Sequence, residues 1–212
     1  MDKLENFYEK VNGGYFFFIG VAISMVSIVI SIALYTAGGA NYSIFSNYVS
    51  DLGAINTPNN AFIAFNTGLI LNGILSPFGT LFLVFFFQNN DIIQKKIIRL
   101  WFIISIISAI STFLVALFPE DIMLWPHNFF AFITFASIML YNLIYGIIAL
   151  LADKIAKYHS IPGFTFVIIN ITFMITYISN VYEPIVTFLE WMILFGGWAV
   201  GIYLGIFSLK IH

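Results

Sequence analysis

The sequence predicts an all-α fold: a polytopic transmembrane bundle of six helices with cytoplasmic N- and C-termini, forming one domain over residues 1–212. Three observations predict it. Hydrophobic residues make up 61% of the chain and charged residues 8%, whereas a soluble domain carries about 25% charged residues to face water. Six apolar runs each approach or exceed the roughly 20 residues that cross a hydrocarbon core. All 8 Lys and Arg residues fall on one side of the six-span topology those runs define.

The runs lie at 14–35, 61–87, 97–118, 129–152, 161–182 and 186–209. The first follows Lys3 and Lys10. Its apolar stretch is longer than a signal-peptide core and no small-x-small cleavage site follows, so it is expected to be retained as a span. Thr57 and Pro58 read as N-cap and first helical residue of the second span. Pro77 lies inside that span and should kink it. Pro119 ends the third span, Pro126 precedes the fourth, and Pro162 opens the fifth. The sixth contains one charge, Glu190. It also carries Gly197, Gly201 and Gly205 on one face, a spacing that lets a neighbouring backbone approach. Ser24, Ser27 and Ser31 in span one and Ser105, Ser108 and Ser111 in span three form similar stripes. These stripes, with Asn66, Asn72, Asn142 and Asn170, fit either helix packing or a polar path through the bundle.

The basic residues orient the bundle. Lys3 and Lys10 precede span one, Lys95, Lys96 and Arg99 join spans two and three, Lys154 and Lys157 join spans four and five, and Lys210 follows span six. By the positive-inside rule that side is cytoplasmic, as expected of a multi-pass protein of the cell membrane. Zero cysteines exclude disulfides, thiolate metal sites and cysteine nucleophiles. A net charge of −2 argues against nucleic acid as a partner.

The chemistry concentrates on the opposite, outward side. The first outward loop holds Ser50-Asp51-Leu52-Gly53. The second reads Phe118-Pro119-Glu120-Asp121 and then Trp125-Pro126-His127-Asn128. The third carries Glu183 and leads to Glu190. Each residue has a structural reading: Asp51 and Gly53 as a turn in which glycine supplies a positive φ, Glu120 and Asp121 as solvated residues after a helix stop, Trp125 in an aromatic belt. Together they also have a chemical reading. His127 could act as a general base oriented by Asp51 or Asp121, while Ser50, Glu120, Asn128, Glu183 and Glu190 form a binding set. No metal site is assigned. The only other histidines, His159 and His212, lie on the cytoplasmic side, which disfavours a zinc centre. A divalent cation would find oxygen ligands here, but no loop motif supports one, and no cofactor is assigned. Asn41-Tyr42-Ser43 is a glycosylation sequon on the outward side.

The residues Ser50, Asp51, Gly53, Pro119, Asp121, His127 and Asn128, with a proline-led start to span two at Pro58, resemble the prokaryotic membrane-protein family called domain of unknown function 998. More distantly they are similar to the six-span Frag1/DRAM/Sfk1 group, which has a comparable Ser-Asp-x-Gly loop and a histidine at the start of span four. The first resemblance implies no established activity. The second implies membrane-lipid handling, including remodelling of lipid anchors.

The expected partner is therefore a membrane lipid, or another membrane protein, engaged through the outward polar cluster. The alternative is a membrane-embedded hydrolase or transferase acting on an outer-leaflet lipid. A third reading, a small transporter, would need a cavity reaching Asn72, Asn142 and Asn170.

Overall fold

The computed structural model describes residues 2–90, 92–179 and 181–211, so His212 lies outside the described residues. These are mostly helical, with no strand among them. A short α1 (Asp2–Tyr8) precedes α2 (Gly14–Ala37), α3 (Ala61–Asn89), α4 (Lys95–Leu117), α5 (Leu124–Leu151), α6 (Ile161–Ile178) and α7 (Glu183–Ile211). The last six are long and apolar enough to cross a membrane.

Each span packs against its neighbours in the chain, and α7 closes the ring against α2. Small residues permit that closure. A Cβ at Gly201 would lie 2.7 Å from Val21 Cγ2, and one at Gly205 would lie 2.8 Å from the Phe18 ring. Gly197 differs: a Cβ there would meet Phe166 of α6 at 3.8 Å, an ordinary contact. Two of the three glycines thus seat α2, while the third turns toward α6. In the serine stripe of α2, Ser31 donates to the Ala61 carbonyl (2.8 Å) and Ser24 accepts from the Trp198 indole (3.0 Å). Ser27 fills the space left by Gly68, where a Cβ would lie 2.4 Å away.

Helix alternation sends the basic residues to one end of the ring and leaves Asp51, Glu120, Asp121, Glu183 and Glu190 toward the other. At the basic end lysines satisfy carbonyls at helix C-termini: Lys154 Nζ donates to Asn90 O (2.8 Å) and Lys157 Nζ to Ala152 O (2.9 Å). Tyr203 and His159 share a hydrogen bond there. An aromatic core fills this half of the ring. Trp101 stacks on Tyr141 and Tyr145, and its indole donates to the Tyr141 carbonyl at 3.1 Å.

Two boundaries differ from the sequence expectation in ways that matter for the site. Helix α5 starts at Leu124, not 129, so Pro126 and His127 lie inside its first turns. Pro126 is tolerated there because the first N–H groups of a helix have no intrahelical partner. Pro58 does not open α3 directly. A 3-10 turn, Pro58–Asn60, intervenes, with Asn59 and Asn60 at positive φ (51° and 55°), a conformation asparagine tolerates. The Thr57 hydroxyl still accepts the Phe62 N–H at 3.0 Å. Helix α3 runs through Pro77, which has no N–H to offer the Gly73 carbonyl.

Candidate functional site

At the acidic end the chain between α2 and α3 folds back over the ring. Tyr42 packs edge-on between Tyr35 and Trp191, and its hydroxyl donates to the Tyr48 carbonyl at 2.7 Å. The Trp191 indole donates to Asn47 O at 3.2 Å. Leu52 is wholly buried against Val49, Phe65, Ile28 and Trp191. The segment is thereby a packed roof rather than a solvated loop.

Asp51 builds this roof. Its Oδ2 accepts the Tyr48 N–H (3.0 Å) and the Asn47 amide (3.2 Å). Burial raises its carboxyl above the usual carboxylate range; the Asn47 donor pulls the other way. Gly53 does not supply a positive φ, which among the described glycines belongs to Gly39 alone. Its need is space: a Cβ would lie 2.8 Å from Asn66 Oδ1 and 3.0 Å from the Phe65 ring. Asp121 is exposed and clasps the same roof from the α4–α5 connection, accepting the Ile55 N–H (3.0 Å) and the Asn56 N–H (2.9 Å). What burial it has opposes ionisation, but the Asn56 and Ile55 donors outweigh it and hold this carboxyl below its usual range. Neither aspartate orients His127.

His127 is 5% exposed and takes a different partner. Its Nδ1 lies 2.8 Å from the Phe118 carbonyl. A carbonyl can only accept, so Nδ1 carries the proton and Nε2 of the neutral ring is an acceptor. Nε2 faces Glu120 Oε2 at 3.9 Å, too long for a hydrogen bond. That Glu120 oxygen is buried without a hydrogen-bond partner. Glu190, 8% exposed and two turns into α7, accepts the Val49 N–H through Oε2 at 2.6 Å. Glu183 is exposed at the start of α7, where a carboxylate is favoured by the helix N-terminus.

His127, Glu120, Glu190, Ser50 and Asn128 share one feature: all line an internal cavity of about 470 Å³ that receives residues from every span. From His127 it extends along α5 through Ala131, Thr134, Ile138 and Tyr141 to Asn142. These residues are three or four apart except the last, so they form one helix face about 21 Å long at 1.5 Å per residue. That is more than half of a ~30 Å hydrocarbon core. The walls are mostly apolar, with Phe17, Phe65, Leu69, Phe166 and Leu194 among them, and polar groups recur in the deeper part. Thr80 and Tyr141 share a 3.0 Å hydrogen bond. Thr134 Oγ1 and Asn142 Oδ1 are buried without partners. Asn72 reaches the cavity, whereas Asn170 does not line it and donates instead to the Phe135 carbonyl at 3.3 Å.

A second, wholly apolar groove of about 380 Å³ lies between α3 and α4, lined by residues including Pro77, Phe78, Phe102 and Phe113. Gly73 and Ala109 line both spaces, so a thin wall of small residues separates the groove from the central cavity.

Sequence reasoning placed the wrong carboxylates beside His127 and missed Thr134, Thr80 and Tyr141. The three-and-four spacing of His127, Ala131, Thr134, Ile138 and Tyr141 carried the signal for Thr134 and Tyr141. Nothing in the sequence paired Thr80 with Tyr141. Among the described residues no three His, Cys, Asp or Glu side chains come together as a metal-ligand set.

The family described as "Protein of unknown function (DUF998)" matches residues 18–206 of the chain. No curated protein and no solved structure matches it.

Proposed function

We propose, from the premise that the chain belongs to the DUF998 family of proteins of unknown function, that this multi-pass membrane protein binds a lipid-like amphiphile. Its chain occupies the central cavity and its head lies at His127, Glu120 and Glu190. The observation that carries this reading is the cavity itself: a mostly apolar shaft with two carboxyl groups and an imidazole at one end. Ligand sites are mostly apolar concavities with a few placed polar groups. The acidic end then faces outward, the basic end toward the cytoplasm of a cell membrane. The distant likeness to the Frag1/DRAM/Sfk1 group supports a lipid as the ligand class.

The test is binding of a spin-labelled fatty-chain probe to protein in nanodiscs. Stoichiometric, displaceable binding is expected. Ala131→Phe, which fills the shaft, should weaken it about tenfold, the worth of one lost apolar contact set. Val29→Phe on the outer face of α2, where Val29 is 65% exposed, should leave it unchanged. Equal binding by wild type and Ala131→Phe would remove the proposal.

A second reading, hydrolysis or transfer on the same amphiphile, has one observation in its favour. The Phe118 carbonyl fixes the His127 tautomer with Nε2 as the base, directed at Glu120. It requires turnover that His127→Ala abolishes.

A further inference from the structure

At its acidic end the cavity presents two carboxyl groups, Glu120 and Glu190, and the His127 imidazole, beside Ser50 and Asn128. Glu120 Oε2 is buried with no donor. Glu190 is more than nine-tenths buried, lines the cavity, and uses only Oε2 on protein, leaving Oε1 with no hydrogen bond. With Nδ1 donating to Phe118 O, Nε2 of the neutral His127 ring is an acceptor. No lysine or arginine lines the cavity at any depth, and none stands at this end of the ring. Buried acceptors without donors are costly, and buried carboxylates more so, unless a partner supplies protons and positive charge. An anionic head would meet two carboxyl groups and no lysine or arginine. A neutral hydroxyl would supply one proton to several acceptors. An ammonium supplies up to three N–H donors and the compensating charge.

Resting on the amphiphile-binding reading above, we propose that the ligand's head is an amine: the site selects alkylammonium amphiphiles, with the ammonium held between Glu120, Glu190 and His127.

The experiment is displacement of the fatty-chain probe from protein in phosphatidylcholine nanodiscs by four compounds, each corrected for partition into empty nanodiscs: dodecylamine, dodecanol, dodecanoate and ethanolamine. Dodecylamine should displace the probe at about tenfold lower concentration than dodecanol, the worth of one charge-assisted contact, and dodecanoate should be weakest. Glu190→Gln and Glu120→Gln should each lower the amine-to-alcohol affinity ratio about tenfold. Gln keeps an oxygen for the Val49 N–H, so Glu190→Gln tests charge rather than the roof. Dodecanoate binding as tightly as dodecylamine, or an amine preference that survives both variants, overturns the proposal while leaving chain binding intact. Ethanolamine displacing the probe as well as dodecylamine would instead overturn the amphiphile reading, since the amine alone would then be the ligand. Failure of the probe to bind at all would sink both.

Discussion

Glu190 Oε2 accepts the Val49 N–H at 2.6 Å, a bond that joins α7 to the roof across 141 residues of sequence. Through it one buried carboxylate both fixes the roof and presents its other oxygen to the cavity.

Truncating that carboxylate should therefore loosen the roof. Glu190→Ala leaves the Val49 N–H, at 8% exposure, without an acceptor, a loss of about 1–3 kcal/mol. Glu190→Gln should retain most of the stability. Thermal unfolding in detergent and hydrogen exchange over residues 42–57 read the difference. Equal protection in wild type and Glu190→Ala would show that the bond does not hold the roof.

Ring closure should depend on Gly201 and Gly205 but not on Gly197. Gly201→Leu must displace Val21, and Gly205→Leu must displace Phe18. Overpacking of this kind costs about 1–3 kcal/mol. Gly197→Ala meets only ordinary contact and removes a mid-helix glycine, so it should be neutral or stabilising by up to about 1 kcal/mol. Unfolding midpoints of the three variants settle the order, and a Gly197→Ala loss equal to the other two would contradict it.

The Asp121 clasp should carry a pH signature. Its carboxyl is held below the usual range, so its contribution is full above the unfolded value of about 3.9 and is lost as pH falls through the lower folded value. Asp121→Asn should therefore lower the unfolding temperature at pH 5–7, with the deficit shrinking below about pH 4. Asp51, raised by burial, runs the other way: its contribution is complete below the unfolded value and is lost as pH rises through the folded one. A pH-independent Asp121→Asn deficit would show that the clasp does not depend on charge.

Orientation is open to direct labelling because the chain has no cysteine. Phe45→Cys and Ile122→Cys, at positions 55% and 57% exposed, should react with an impermeant maleimide on intact cells. Lys96→Cys should react only after permeabilisation. Labelling of Lys96→Cys alone on intact cells would invert the topology, and Phe45→Cys and Ile122→Cys on opposite sides would destroy it.

The spans were legible because hydropathy is a sum over about 20 residues and survives local error. The acidic and basic ends followed from helix alternation, and Glu190 was marked by standing in an apolar run. The partners of the site were not legible. Asp51, Glu120 and Asp121 are all carboxylates in loops at the same end, and sequence offers nothing to rank them. The packing of Leu52 and Tyr42 turns Asp51 into a roof brace. The reach of Asp121 to two N–H groups of the first loop makes it a clasp. Glu120 is left facing His127.

The sequence by itself determined six apolar helices, their alternation, and the separation of charge between their ends, because each depends on the composition of a contiguous segment. Only the tertiary structure decided that α7 returns to α2, that the ring encloses a shaft, and that Glu120, Glu190 and His127 share its end. Those relations join residues as far as 174 positions apart, as Ser24 and Trp198 are, and they are set by which small side chains let helices approach and which large ones hold them off.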